Sequence, residues 1–115
     1  MHAKDLSVGE RLFLIRKRSG ETMAAASDAF DVSLNLYRKW ERDEAVPDPE
    51  HGVTKAFLSL GRLTKEERYL VQRRRSGLTM REIASHLGCC PWWVRRMELG
   101  EADDGPLAEY WASAA

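Results

Sequence analysis

Apolar side chains recur every three or four positions along most of the chain, which is the spacing that places them on one face of an α-helix. The spacing is clearest at Ile83, Ala84 and Leu87, and it resumes at Val94 and Met97. The alternation of apolar and polar residues that indicates a half-buried strand is missing from the sequence. We therefore predict an all-α fold.

Residues 79–101 predict two short helices joined by a tight turn. Thr79 and Glu82 have the spacing of a capping box, in which each side chain accepts an amide proton of the other residue. Gly88 ends the first helix because glycine adopts the left-handed conformation at little cost, and Pro91 suits the first turn of the next helix. A helix, a turn containing glycine and a second helix together form a helix-turn-helix motif.

The same pattern occurs twice without gaps, at a shift of 57 positions, so that Ser19–Met23 matches Ser76–Met80. Further identical pairs are Glu10 and Glu67, Arg11 and Arg68, Arg16 and Arg73, Arg18 and Arg75, Arg38 and Arg95, Glu41 and Glu98, and Glu44 and Glu101. We therefore predict two copies of one supersecondary unit. The predicted domains are residues 1–61, which include a linker helix, and residues 62–115, which include a C-terminal helix.

Capping residues predict where the other helices begin. A hydroxyl residue followed three positions later by glutamate occurs at Ser7 and Thr64, as it does at Thr79. Thr22 and Ser33 are the predicted N-caps of the second and third helices of the first copy.

One additional helix is predicted in each copy. In the first copy it follows Pro47-Asp48-Pro49, a segment that forbids continued helix. Its apolar positions are Val53, Ala56, Phe57 and Leu60, and it ends at Gly61. In the second copy, the apolar positions of the last helix are Leu107, Tyr110 and Trp111.

The composition suits one compact domain or two very small ones, with 115 residues of which 43% are hydrophobic and 31% charged. A unit of about 50 residues is marginal alone, so we expect close packing of the units or oligomerisation. No signal peptide or membrane-spanning run is apparent, and Cys89 and Cys90 indicate reduced thiols, so a cytoplasmic protein is expected. No nucleophile with a base, metal-ligand spacing or phosphate loop is apparent. We expect no enzyme activity, no cofactor and no metal site.

The formal net charge is zero, whereas many DNA-binding domains are basic. Division at Gly61 gives 9 basic and 10 acidic residues in the first part and 9 and 8 in the second. Any basic surface must therefore arise by local segregation of charge. Such segregation occurs at Arg16-Lys17-Arg18 and Arg73-Arg74-Arg75, while residues 41–50 and 98–109 are mostly acidic.

Residues 9–44 resemble the Cro/C1-type (XRE-like) helix-turn-helix repressors of phages and bacteria. The resemblance is carried by Arg16, Gly20, Thr22, Val32-Ser33, Arg38-Lys39-Trp40-Glu41 and Pro47. Residues 63–98 are similar to the same family. Their Leu-Thr-x-Glu-Glu-Arg opening and Arg-Glu-Ile-Ala-x-x-Leu-Gly centre also resemble the helix-turn-helix of sigma factors and transposases. The resemblance implies tandem lambda-repressor-like bundles of three to four helices.

The resemblance also implies that the third helix of each unit enters the major groove of double-stranded DNA. Asn35 would then read adenine, and Arg38 or Arg95 would read guanine. The alternative is that these are solvated side chains on an outer helix face. The full candidate set for DNA binding is Thr22, Ser33, Leu34, Asn35, Arg38, Lys39, Thr79, Arg81, Pro91, Trp92, Arg95 and Arg96.

In repressors of this kind, an arginine of the first helix pairs with a glutamate near the end of the third. The corresponding residues are Arg16 with Glu41, and Arg73 with Glu98. Such a pair mainly fixes the angle between the helices, and losing one partner leaves a charge stranded.

Two functions follow from these patterns. The first is a DNA-binding transcriptional regulator. The second is a helix-turn-helix module that binds protein, such as an anti-activator, antirepressor or assembly adaptor of a phage or mobile element. Met23 and Met80 replace the glutamine found in many family members, and Trp92 and Trp93 provide more apolar surface than DNA requires. A protein partner on the Trp92 and Trp93 face, or a homodimer, therefore remains open.

Overall fold

The computed structural model describes residues 2–114, and these residues form only helices and turns. The α-helices among them are α1 (Val8–Ser19), α2 (Met23–Ala29), α3 (Leu34–Glu41), α4 (Lys65–Ser76), α5 (Met80–Leu87), α6 (Pro91–Leu99) and α7 (Gly105–Ala114). Two single 3₁₀ turns occur at Ala3–Asp5 and Pro49–His51. The all-α prediction is confirmed, since no strand occurs in the described range.

The chain divides into two compact units, unit 1 (Met1–Arg62) and unit 2 (Leu63–Ala115). Each unit has a hydrophobic core of its own. The core of unit 1 is formed by Leu12, Ala26, Tyr37, Trp40 and Val53. The core of unit 2 is formed by Tyr69, Ile83, Ala84, Val94, Met97, Leu107 and Trp111.

Hydroxyl side chains begin α1 to α5 as the sequence predicts. The five N-cap oxygens, each of which accepts an amide proton of its own first helical turn, belong to Ser7, Thr22, Ser33, Thr64 and Thr79. Complete capping boxes form at α1, α4 and α5. Because each cap satisfies a backbone group that the helix leaves unpaired, these local contacts fix where each helix starts.

Two turns of unit 1 hold aspartate in the left-handed conformation, Asp31 at φ 55° and Asp43 at φ 58°. The positions 57 residues later in unit 2 are Gly88 at φ 71° and Gly100 at φ 77°. The backbone geometry is therefore shared by the two units, although only unit 2 has the residue that adopts it without steric cost.

The Asp31→Gly substitution should raise the stability of unit 1 by about 0.5 kcal/mol, because it relieves the left-handed strain of an exposed side chain. Asp43→Gly is the matched control, because the Asp43 carboxylate accepts hydrogen bonds from the Gly9 amide and the Ser7 hydroxyl. We expect that variant to lose stability in a urea titration monitored by amide hydrogen exchange. Equal effects of the two changes would contradict the assignment of strain to Asp31.

The linker helix predicted over residues 53–61 is wrong. Residues 55–58 form a turn, and left-handed glycines stand on both sides of the segment, Gly52 at φ 89° and Gly61 at φ 65°. Side chains of α1 bind its carbonyl groups, since Arg11 Nη1 donates to the oxygen of Leu58 and Arg18 Nη1 to that of Leu60. The two arginines thus satisfy carbonyl groups at the end of the segment, while within it the Leu58 amide donates to the Thr54 carbonyl.

The predicted C-terminal helix is present as α7 and covers the core of unit 2 with Leu107 and Trp111. The Tyr69 hydroxyl donates to the Asp104 carboxylate at 2.6 Å, just before α7 begins. This hydrogen bond holds the pKa of Asp104 below its usual value, while burial raises the pKa of Tyr69. Across residues 2–114 no helix combines the length and the apolar character needed to cross a membrane.

Candidate nucleic-acid interface

Helix α3 follows α2 after a short turn and is half buried. Ser33 caps it, and Tyr37, Trp40 and Glu41 point into unit 1. The opposite side carries Asn35, Arg38, Lys39 and Arg42, all of which are exposed and lie at helical spacing; we call these four residues the α3 face. Arg42 was missed in the sequence analysis, although its position, four residues after Arg38, is a signal that would have identified it.

The cations of the α3 face have no partners within the described residues. No hydrogen bond or ion pair involves the side chain of Arg38, Lys39 or Arg42, and the Asn35 amide is likewise unbonded. Such side chains reach a ligand without first breaking contacts within the protein.

The corresponding surface of unit 2, the α6 face (Trp92, Arg95, Arg96 and Leu99), differs in chemistry. Trp92 is 63% exposed, and Leu99 is 37% exposed. The Arg96 guanidinium stacks on both neighbouring tryptophans, 5.0 Å from the ring centre of Trp92 and 5.4 Å from that of Trp93. Unit 2 therefore presents the aromatic ring of Trp92 at the position where unit 1 presents the amide of Asn35.

Both arginines of the α6 face also have carboxylate neighbours within unit 2. Arg95 Nη1 lies 3.6 Å from Glu66 Oε1, and Arg96 Nε lies 3.7 Å from Glu101 Oε2. The Arg96 guanidinium also donates to the Glu101 carbonyl. These cations are therefore locally neutralised, in contrast to Arg38.

The two threonines of the candidate set for DNA binding, Thr22 and Thr79, also differ in their hydrogen bonds. Thr79 donates its hydroxyl proton to the Glu82 carboxylate at 3.1 Å and also accepts the Glu82 amide. Thr22 accepts the Ala25 amide, and an alanine at position 25 provides no carboxylate to take the hydroxyl proton. Only the Thr22 hydroxyl keeps its proton available for a phosphate oxygen.

The remaining candidates are Ser33, Leu34, Arg81 and Pro91. Ser33 is exposed and its oxygen accepts the Leu36 amide, while Leu34 is half buried. Arg81 is exposed on α5, and Pro91 is exposed in the first turn of α6. Ser33 and Leu34 therefore border the α3 face, and Pro91 borders the α6 face.

The Arg16 and Glu41 pair joins α1 to the end of α3. Arg16 Nε donates to Glu41 Oε2 at 2.7 Å and Nη2 donates to Oε1 at 3.2 Å. The Tyr37 hydroxyl donates to the same carboxylate. The hydrogen bond to Glu41 raises the pKa of Arg16, and burial raises the pKa of Tyr37. The guanidinium of Arg16 therefore stays charged, and its two hydrogen bonds to Glu41 set the position of α3 on α1.

Unit 2 repeats this pair with the same geometry. Arg73 Nε donates to Glu98 Oε2 at 2.7 Å and Nη2 donates to Oε1 at 3.2 Å. Val94 takes the place of Tyr37, so the Glu98 carboxylate receives no tyrosine hydroxyl. The Glu98 side chain is completely buried.

In comparisons with protein-family models, with curated proteins and with solved structures, nothing matches this chain. The resemblance to helix-turn-helix repressors therefore stays a prediction that rests on the residues named above.

Proposed function

We propose that this protein is a sequence-specific DNA-binding transcriptional regulator in which α3 enters the major groove. The α3 face carries this proposal, because it combines an amide with three cations that have no partner within the described residues. An α-helix fits the major groove of duplex DNA, where base edges present hydrogen-bonding groups.

Each residue of the proposed interface has a specific role. Asn35 pairs with the exposed edge of adenine, and Arg38 pairs with the two acceptors of guanine. Lys39, Arg42 and Thr22 contact phosphates, which fixes the position of the helix without reading sequence. Regulation then follows from occupancy of a promoter, with no chemical step.

In this proposal unit 2 contributes less to DNA binding than unit 1. Arg95 and Arg96 would have to exchange their carboxylate neighbours for DNA, and those carboxylates would repel the phosphates. The Glu82 carboxylate beside Thr79 adds a further negative charge. We therefore assign the main DNA contacts to unit 1 and not to unit 2.

A salt titration of binding to duplexes with a randomised centre tests the assignment. Wild-type affinity should fall steeply with salt, and Lys39→Ala should reduce the slope of log K against log salt by about 0.9, the value for one lost phosphate contact. Arg38→Ala should weaken binding to the selected sequence by about 1–3 kcal/mol and relax selection at one base.

Arg95→Ala is the matched control, since it removes the corresponding cation of unit 2. We expect it to change affinity much less than Arg38→Ala. If the two substitutions have equal effects, or if no duplex binds at low salt, the α3 assignment is wrong.

A protein-binding module is the second candidate function. It is favoured by the exposed tryptophans of unit 2, because large exposed aromatic residues mark protein interfaces more often than DNA contacts. Failure of DNA binding together with a stable protein complex would establish this alternative.

A further inference from the structure

The α6 face and the neighbouring Trp93 leave apolar side chains exposed, although the Arg96 guanidinium stacks on both tryptophan rings. Trp92, Trp93 and Leu99 are 63%, 40% and 37% exposed. Since a fully exposed aromatic side chain presents roughly 150–250 Å², the three side chains together expose on the order of 300 Å². This area is at the lower end of the range for the largest apolar patch on a soluble monomer, about 300–600 Å², and such patches are often functional.

The charges around this face balance. Arg95 and Arg96 lie beside Glu66 and Glu101, so two positive groups meet two negative groups. A nucleic acid or an acidic protein would be repelled by the glutamates about as much as it is attracted by the arginines. A second copy of this chain carries the same two arginines and two glutamates, so its charges are complementary to those of the face.

We infer that the α6 face binds a second copy of this chain across a two-fold axis. In such an interface the α6 face of one copy packs against the α6 face of the other. Each arginine then faces a glutamate of the other copy. The tryptophans pack together at the centre, where water is excluded.

The existing ion pairs permit this exchange. Their separations of 3.6 and 3.7 Å are long, and the side chains of Arg95 and Glu101 are 48% and 58% exposed. Exposed pairs of this kind contribute little to the stability of the monomer. Replacing a contact within one copy by a contact between copies therefore costs little, while burial of the tryptophans is a net gain.

The size of the face predicts a weak dimer. A standard interface buries about 800 Å² on each partner, which is more than the apolar side chains of this face supply even with the arginine stems. We expect a dissociation constant in the micromolar range. If the proposed DNA binding also holds, a two-fold dimer presents two copies of α3 and selects inverted repeats.

Sedimentation equilibrium in the absence of DNA, over about 1–500 µM protein, tests this inference across the expected range of dissociation constants. The wild-type protein should shift from monomer to dimer as its concentration rises. Trp92→Ala should weaken the dimer at least tenfold. Asn35→Ala, the substitution at the corresponding position of unit 1, should leave the dimer unchanged.

Charge reversal gives a sharper test. Arg96→Glu alone and Glu101→Arg alone should each be monomeric, because like charges then meet across the axis. An equimolar mixture of these two variants should recover a dimer, because each copy now complements the other. Circular dichroism should show unchanged helicity in both, since both positions lie on the surface of unit 2.

The inference is overturned if the wild-type protein stays monomeric at the highest concentration. It is equally overturned if a dimer forms but neither Trp92→Ala nor charge reversal affects it. Both outcomes are independent of DNA, so failure of the proposed DNA binding leaves this test intact.

Discussion

Replacing Arg73 by methionine is expected to destabilise unit 2 by about 3–5 kcal/mol, the cost of leaving one partner of a buried ion pair uncompensated. Glu98 is fully buried, and within the described residues both hydrogen bonds to its carboxylate come from Arg73. Methionine retains much of the apolar part of the arginine side chain. The loss of stability therefore measures mainly the cost of leaving the Glu98 carboxylate without a positive partner. Urea unfolding with residue-resolved hydrogen exchange should locate the loss in α4–α6.

Arg16→Met is the matched control in unit 1, because its ion pair has the same geometry. We expect a smaller loss there, since the Tyr37 hydroxyl still donates to Glu41. The double variant Arg73→Met with Glu98→Leu should recover most of the lost stability, because an apolar pair can replace a buried ion pair. No recovery in the double variant would show that packing, and not charge, causes the loss.

Helix starts could be predicted from the sequence because their causes are local. Ser7 and Thr79 bond to amides three residues away, and no distant part of the chain needs to be known. Gly20 and Gly88 end their helices in the left-handed conformation for an equally local reason.

The segment over residues 53–60 could not be predicted in this way, because two of its carbonyl groups are bound by side chains of a distant helix. Apolar spacing indicated a helix, and Val53 and Leu60 are indeed buried. The arginines of α1 that bind the carbonyl groups of the segment lie more than 40 positions away in sequence. Helical spacing is thus compatible with an irregular segment held by side chains.

The inward face of α1 shows a second limit of periodicity. Val8, Leu12 and Ile15 fit helical spacing, but the fully buried residues are Leu12 and Leu14, while Val8 is 37% exposed. Val8 is the first residue of the helix, and Leu6 and Gly9 close to it are buried. Periodicity identifies an apolar face but does not fix which of its side chains enter the core.

The candidate interface was only partly predictable from the sequence. The sequence aligns Arg38 with Arg95 and so predicts equal roles, whereas within residues 2–114 the structure leaves the Arg38 side chain without a partner and places Arg95 beside Glu66. The difference arises in the first helix of each unit, where glutamate stands at position 66 and Gly9 at the matching position. One difference in the first helix of each unit thus changes the charge environment of the third helix, which a comparison of the two helix-turn-helix motifs alone does not show.

Gly9 itself marks a close approach of α1 to the end of α3, and its replacement by alanine should cost unit 1 about 3 kcal/mol, the upper part of the usual range for overpacking. An added Cβ would lie 2.4 Å from the Glu41 carbonyl oxygen and 2.8 Å from the Asp43 carboxylate. A backbone atom cannot rotate away as a flexible side chain does, so α1 and α3 must separate. That movement would also weaken the hydrogen bond from the Gly9 amide to Asp43 and the contact between Arg16 and Glu41.

Glu66→Ala is the control for this change, since position 66 already carries a Cβ in unit 2. It removes only the exposed contact with Arg95 and should change stability by less than about 1 kcal/mol. Thermal unfolding of both variants measures the difference, and DNA binding measures its consequence, because α3 is held in place through Glu41. If Gly9→Ala is as mild as Glu66→Ala, then the helices of unit 1 yield easily, and the buried pair does not fix the orientation of α3.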